Sequence, residues 1–294
     1  MSAANLMRSD RLNRMGFSVK GKTVLVTGAA MGMGRLFAEK AVKEGASQII
    51  LWDINGAELE KTAAALTAAG GKVHAQVVDV ANLEQIEKSA AEVKEKFGAP
   101  HVLINNAGVV RGKLFWEHDN LRDTKFTIDI NVLAPMYITR AFINEMIERD
   151  EDSRLVTLAS AAGTVANPKM SVYAGSKWGV LGWSDSVRLE LELEGHKHVK
   201  MTTVCPSYIN TGMFEGAKGP LMAPILQPQE VVDKSWAGMK SGVPLIFLPK
   251  TVLLSKGLKG VLPTRAWDFL AGRVLGVYHS MEEFEGRGND LSGK

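Results

Sequence analysis

The sequence predicts an α/β fold in a single domain, a doubly wound parallel sheet of about seven strands with helices on both faces. Three observations lead there. From residue 22 onward, short β-branched apolar runs alternate with longer stretches of helical period, the pattern of strand–helix–strand units. A glycine-rich turn joins the first strand to the first helix, and Gly or Pro punctuates later joints, as at Gly70-Gly71 and Gly98-Ala99-Pro100. Finally, 294 residues with 46% hydrophobic content suffice for one large core and fall short of two ordinary domains.

In chain order, strands are expected at 23–27, 48–52, 73–78, 102–105, 154–159, 199–204 and 244–248. Helices are expected at 34–44, 56–69, 83–97, 121–149, 173–194 and 229–240. Each strand is short, apolar and bounded by turn residues, so it suits a sheet covered on both faces.

Composition narrows the function. Lys+Arg number 35 against 32 Asp+Glu, and a net charge of +3 offers little attraction to a polyanion, so nucleic acid is excluded as a partner. The single cysteine, Cys205, allows no intramolecular disulfide and points to a reducing, cytoplasmic setting. Arg8, Asp10, Arg11 and Arg14 interrupt any secretory apolar run. Pro249, Lys250, Lys256 and Lys259 break the most hydrophobic segment, near 243–262, so no spanning helix is expected, while peripheral contact with a membrane surface stays open. The six histidines read as surface residues without a metal set, since His196 and His198 lack partners at ligand spacing. Glu190, Glu192 and Glu194 read as a solvated helix face.

The first strand runs into Thr27-Gly28-Ala29-Ala30-Met31-Gly32-Met33-Gly34. Gly28 permits the tight turn, Gly32 removes a side chain where backbone must approach a pyrophosphate, and Gly34 lets the helix pack close to the strand. The phosphates would sit at the helix N-terminus, where unpaired N–H groups favour anions. Asp53 ends the second strand in Leu51-Trp52-Asp53-Ile54-Asn55, near the interval expected of a ribose-binding carboxylate. A carboxylate there accepts from the ribose hydroxyls and repels a 2′-phosphate, which favours NAD over NADP. The competing role for Asp53 is N-cap of the following helix.

Tyr173-Ala174-Gly175-Ser176-Lys177 places a phenol and an ammonium four apart, on one helix face. At about 4 Å and an effective dielectric of about 20 their attraction is roughly 4 kcal/mol before desolvation offsets it, enough to favour a phenolate and let Tyr173 accept a proton near neutral pH.

Taken together, Thr27 to Gly34, Asn105-Asn106-Ala107-Gly108, Ser160, Tyr173-x-x-x-Lys177 and Pro206 to Thr211 resemble the classical short-chain dehydrogenase/reductase family over about residues 20–250. Leu51 to Asn55 and Cys205 to Met213 are closest to its retinol and hydroxysteroid dehydrogenase-like branch. The resemblance implies a Rossmann fold and hydride transfer between NAD and an alcohol or its carbonyl. In that family's terms Ser160 bonds the substrate oxygen, Tyr173 is the acid/base, Lys177 lowers its pKa and holds the nicotinamide ribose, and Asn131 supports a water-linked proton path. The cofactor set becomes Gly28, Met31, Gly32, Met33, Gly34, Asp53, Asp79, Val80, Asn105, Ala107, Gly108, Tyr173, Lys177, Pro206, Ile209 and Thr211. Read without the resemblance, Asn131 is a helix residue bonded to a neighbouring carbonyl. The chain departs from the family in having Pro206-Ser207 where Pro-Gly is usual, which bears on loop mobility.

The same frame divides the chain into a 1–20 extension, a 21–250 dinucleotide-binding and catalytic domain, and a 251–294 helical extension on that domain or at a subunit interface. A homodimer or homotetramer is expected. An NADP-dependent carbonyl reductase and a catalytically silent NAD-binding scaffold are the alternatives, and the intact Ser160, Tyr173, Lys177 and Asn131 argue against the scaffold. The segment after the sixth strand carries Tyr208, Met213, Phe214, Leu221, Met222, Ile225 and Leu226, an apolar lid that predicts a small lipophilic alcohol or carbonyl substrate.

Overall fold

The computed structural model describes residues 16–221 and 223–286; Arg8, Asp10, Arg11, Arg14 and Met222 lie outside the described residues, as do 287–294 of the C-terminal extension. Among the described residues, β1 (Thr23–Thr27), β2 (Gln48–Asp53), β3 (Val73–Val77), β4 (Val102–Asn105), β5 (Ser153–Leu158), β6 (Val199–Pro206) and β7 (Leu245–Leu248) form one sheet. Its order is β3-β2-β1-β4-β5-β6-β7 and every pairing is parallel. The order reverses between β1 and β4, the crevice where open α/β sheets bind their ligands.

Strand periodicity explains the layers. Val24 and Val26 of β1 point to one face, against Phe37, Ala38 and Ala41 of α1 (Gly32–Lys43), Leu59 and Leu66 of α2 (Gly56–Ala68) and Val231 and Trp236 of α6 (Pro228–Ser241). Leu25, one residue out of phase, points to the other face. There it meets Ile86 and Val93 of α3 (Leu83–Phe97), Ile138 and Phe142 of α4 (Ala134–Glu148) and Leu191 of α5 (Ser171–Leu193). Both faces are covered, so the central strands are apolar throughout.

The expected elements are all present, with ends moved by a residue or two, and one is corrected. The helix expected at 121–149 is not continuous: π-helical turns at Asn120–Lys125 and Asp129–Leu133 flank Phe126–Ile128, and α4 begins only at Ala134. Pro135 opens α4; lacking an N–H, it cannot donate to the carbonyl of residue 131, so an undisturbed α-helical ladder cannot pass through that point.

A second correction concerns the histidines. His101 is mostly enclosed at the lower end of the sheet, where its Nδ1 accepts the Thr23 N–H at 3.1 Å. His74 and His198 are also largely covered.

The C-terminal segment forms α7 (Thr251–Val261) and α8 (Thr264–Phe269), each thinly attached, with only Val252 and only Trp267 buried in them. No described helix is long and apolar enough to cross a membrane.

Candidate active site

At the β1–β4 crevice the glycine turn is set by close approach. Gly28 has φ +63°, and a Cβ on Gly34 would lie 1.9 Å from the Gly28 carbonyl oxygen, so no side chain fits between turn and helix. Residue 31 is the N-cap of α1, and its side chain makes no capping hydrogen bond to the helix. Thr211 stands over the turn, its Cβ 3.9 Å from where a Gly32 Cβ would be. Met33 packs partly against the core beneath.

The turn is locked by the side chains of Thr27 and Asn106, to which the sequence assigned no role of their own. Thr27 Oγ1 accepts the Asn106 and Ala107 N–H groups, each at 3.1 Å, and the Asn106 amide donates to the Thr27 and Gly28 carbonyls at 2.9 and 3.1 Å. Asn105 is turned elsewhere: its amide donates to Thr139 of α4 at 3.0 Å and its Oδ1 is buried without a partner, so toward the crevice it offers backbone. Asp53 accepts the Ala30 N–H at 2.9 Å and the Asn55 N–H at 2.9 Å, while Asn55, not Asp53, caps α2 by accepting from the Glu58 N–H. The N-cap role considered for Asp53 is thereby corrected, and its carboxylate stands between the glycine turn and the end of β2. Asp79 accepts the Ala81 N–H at 2.9 Å, and Val80 is buried in the second core face.

Ser160, Tyr173, Lys177 and Asn131 come together at the ends of β4 and β5. Ser160 follows β5 and caps a short 3-10 turn by accepting the Ala162 N–H at 3.1 Å; its Oγ reaches the Pro206 carbonyl at 3.4 Å and lies close enough to the Tyr173 phenol to lower its pKa. One helical turn along α5, Lys177 Nζ lies 5.7 Å from the Tyr173 ring centre and donates to the Leu158 carbonyl at 2.8 Å. Asn131 sits in the second π-helical turn. Its Oδ1 accepts the Val109 N–H and its Nδ2 donates to the Val109 carbonyl, both at 2.9 Å, and to Ser176 Oγ at 3.0 Å. Ser176 in turn donates to the Tyr173 carbonyl at 2.6 Å. Asn131 therefore ties the post-β4 loop to α5, across 22 and 45 residues, not to a neighbour on its own helix. A Cβ on Gly108 would lie 3.3 Å from Asn131 Oδ1 and 3.6 Å from Lys177 Nζ, so this glycine keeps the floor of the cluster open.

The electrostatics differ from expectation. Burial pushes the Tyr173 phenol up to about 12, the Ser160 hydrogen bond opposing it, and burial pushes the Lys177 ammonium down to about 8. In the polypeptide alone desolvation outweighs the tyrosine–lysine attraction, and the phenol lies above its usual value. The Cys205 thiol is buried and pushed up to about 12, which suits an inert core group.

Beside this cluster opens a cleft whose wall is mostly apolar, including Ala162, Met170, Phe214, Val252 and Leu275, with Ser160 at its edge. Phe214 meets the Tyr173 ring edge-on at 6.0 Å and Tyr208 at 5.3 Å, and Met213 packs in the same cluster. Leu221 is corrected: it is 77% exposed and faces solvent, because its backbone is bound to Leu275 by an N–H to carbonyl bond while its side chain turns outward. The C-terminal segment supplies wall the sequence did not assign, through Val252, Ser255, Leu275 and Val277, and packing behind that wall. Met281 is buried against Tyr173 and Tyr208, and Phe284 fills the space left by Gly112.

Residues 22–219 match the family model described as short chain dehydrogenase. The chain is 39% identical to estradiol 17-beta-dehydrogenase 11 of Homo sapiens over 258 residues, 87% of this chain and 84% of that protein. To epidermal retinol dehydrogenase 2 of Homo sapiens it is 36% identical over 271 residues, 91% of this chain and 86% of that one. Its fold is similar to a short chain dehydrogenase/reductase from Burkholderia phymatum in complex with NAD, with TM-score 0.76 and 27% identity over 83% of this chain and 94% of that one. A metagenomic short-chain oxidoreductase in complex with NADP superposes with TM-score 0.66 and 25% identity, over 78% and 96%.

Proposed function

The chain belongs to the short-chain dehydrogenase family and is an oxidoreductase that interconverts an alcohol and its carbonyl; from that premise we propose that it uses NAD, acts on a lipophilic alcohol, and does so with Tyr173 as acid/base. The observation that carries the reading is the convergence of Ser160, Tyr173 and Lys177 at the edge of a mostly apolar cavity.

The residues present fit a dinucleotide. Gly34 leaves no room for a side chain against the turn, Met31 does not cap α1, and Asp53 stands at the β2 end where a ribose hydroxyl would donate to it. In this reading the pyrophosphate is held by Gly28, Gly32 and the α1 N-terminus beside Met31, the adenine side by Asp79 and Val80, and the nicotinamide side by Ala107, Gly108, Ile209 and Thr211. The carboxylate of Asp53 favours NAD by repelling a 2′-phosphate. When bound, the nicotinamide supplies the acceptor or donor of hydride.

The protein's own part is proton handling and exclusion of water. Ser160 Oγ holds the substrate oxygen; Tyr173 Oη, as the neutral phenol, gives that oxygen a proton during reduction, and as the phenolate it takes the proton during oxidation. Lys177, anchored on the Leu158 carbonyl, places a cation beside the phenol and opposes the burial that drives it upward. Asn131 positions α5 through Ser176. Phe214, Tyr208 and Met213 cover the apolar side, which suits a substrate with little polar surface.

We further assign residues 21–250 as the dinucleotide-binding and catalytic domain and 251–294 as a C-terminal extension, whose described part, 251–286, packs on that domain with its outer face available to a second subunit or a membrane surface. Leu253, Leu254, Val261 and Phe269 are exposed there among Lys250, Lys256 and Arg265. The single cysteine, which allows no intramolecular disulfide, supports a reducing, cytoplasmic setting. The experiment is a substrate panel followed by NADH absorbance. Apolar secondary alcohols should exceed polyols by about tenfold or more in kcat/KM, a difference of roughly 1.4 kcal/mol. Equal turnover of a polyol would reject the substrate class.

A further inference from the structure

The loop that covers the apolar side of the site is backed by the C-terminal segment. The Leu221 N–H donates to the Leu275 carbonyl at 3.0 Å, and the Lys218 N–H to the Ser280 carbonyl at 2.8 Å. The Glu285 and Gly286 N–H groups donate to the Glu215 carbonyl at 3.0 and 3.1 Å. Partners descend along one segment as they ascend along the other, so 213–221 and 275–286 run antiparallel as two plies. Lys218 Nζ also pairs with the Glu283 carboxylate. Where the plies press closest, Gly216 has φ +79° and a Cβ there would lie 1.9 Å from the Glu283 carbonyl oxygen, so only glycine fits.

Both plies line the cleft, one through Phe214 and Pro220, the other through Leu275 and Val277. The C-terminal ply is also fastened to the body of the domain. The Phe284 ring stands where a side chain at Gly112 would be: a Cβ there would lie 2.2 Å from a ring carbon. Gly112 belongs to the post-β4 loop, which Asn131 holds through Val109. Two further attachments are polar: Lys169 Nζ donates to the Glu282 carbonyl at 3.0 Å, and Ser280 Oγ accepts the Asn167 amide at 2.8 Å. Peeling one ply from the other would strip main-chain donors and acceptors of their partners. Lifting both together keeps those bonds and releases side-chain contacts, the Phe284 ring being the large apolar one at the post-β4 loop.

We propose that 213–221 and 275–286 form one cover over the cleft, that Phe284 latches it to the post-β4 loop at Gly112, and that the two plies open as a unit to admit substrate. The proposal rests on reading the cleft as the alcohol site. Phe284 is then a positioning residue: it touches no reacting atom, and it acts by keeping the cover, with Phe214 in it, seated beside Tyr173. Loosening the latch weakens binding of an alcohol bulky enough to bury surface against the cover and spares one too small to do so.

The test is amide hydrogen exchange, read by mass spectrometry on the full chain as wild type, Phe284→Ala and Gly112→Ala. Phe284→Ala removes the latch; Gly112→Ala puts a methyl group where the ring stands and displaces it. Each variant should speed exchange in 213–221 and in 275–286 by about tenfold, the two factors agreeing within about threefold, and leave β1 and α1 unchanged. The double variant should be no faster than Phe284→Ala alone, because the added methyl then meets no ring. Acceleration confined to 275–286, or none in either ply, overturns the proposal. Should Phe284→Ala fail to fold, Phe284→Leu is read the same way. Steady-state kinetics of the same variants separate the cover from the reading beneath it. KM for a bulky apolar secondary alcohol should rise about tenfold, with kcat within about threefold of wild type and KM for 2-propanol within about twofold. Coupled exchange with an unchanged KM for the bulky alcohol would uphold the cover and reject the cleft as the alcohol site, whereas a raised KM with uncoupled plies would do the reverse.

Discussion

Replacing Lys177 by Met should make the folded protein more stable near neutral pH while removing activity, because the ammonium is held in the site at a cost. Burial lowers its pKa from the ordinary 10.5 to about 8, which corresponds to about 3 kcal/mol at pH 7. Loss of its hydrogen bond to the Leu158 carbonyl returns about 1 to 2 kcal/mol, leaving a net stabilisation of about 1 to 2 kcal/mol. The pH dependence isolates the effect. Between about pH 8 and 10.5 the unfolded chain holds the Lys177 proton and the folded chain does not, so wild-type stability gains with rising pH in that window. The Cys205 thiol, pushed up to about 12, gives the opposite slope above pH 9, but both proteins share it. Urea unfolding of wild type and Lys177→Met between pH 7 and pH 9.5 should therefore show the advantage of the variant shrinking by about 2 kcal/mol. Parallel curves, or a variant destabilised at every pH, would refute the argument that desolvation dominates at Lys177.

Other consequences are equally direct. Asp53→Ala should lower kcat/KM for NAD by about tenfold or more and narrow the NAD over NADP ratio, since the variant removes both ribose pairing and phosphate repulsion; side-by-side kinetics decide it, and an NADP preference in the unmutated enzyme would overturn the role of Asp53. His101, held down to about 4 by burial and by Arg149 and Lys22, should cost the protein up to about 3 kcal/mol as pH falls from 6.5 to 4, because protonation also breaks the bond its Nδ1 accepts from Thr23; His101→Asn should flatten that acid limb in denaturation curves. Phe214→Ala should raise KM for an apolar alcohol by about tenfold through loss of the edge-on contacts with Tyr173 and Tyr208, while Leu221→Ala, altering a solvent-facing side chain, should leave KM unchanged.

What was legible in the sequence follows from how locally each requirement acts. The glycine turn was legible because it is a matter of backbone within one strand–turn–helix unit: Gly34 has no room for a Cβ against Gly28. Asp53 and the Tyr173–Lys177 pair were legible because strand length and helical spacing place them. Asn131 was placed by resemblance, and its bonds to Val109 and Ser176 could not be read from its own neighbourhood. Asn106, Ser176 and Asn167 were given no role for the same reason, their partners lying 78, 45 and 113 residues away in Gly28, Asn131 and Ser280. Leu221 was misread because an irregular loop has no period from which side-chain direction follows. The Tyr173 phenol was expected low from one pairwise attraction; the burial that drives it high is a property of the assembled pocket, to which Met281 and Tyr208 contribute.

The central claim is that the Tyr173 hydroxyl moves the proton of the reacting alcohol, and the measurement that tests it most directly is NADH formation by Tyr173→Phe under single-turnover conditions, alongside NAD affinity measured by titration. The substitution keeps the ring that meets Phe214 and removes the hydroxyl alone. The account predicts NAD affinity within about twofold of wild type and a rate of NADH formation lower by about a thousandfold, within the range of positioned acid–base catalysis. A variant that forms NADH within a few-fold of the wild-type rate would contradict it and take Tyr173 out of the reaction.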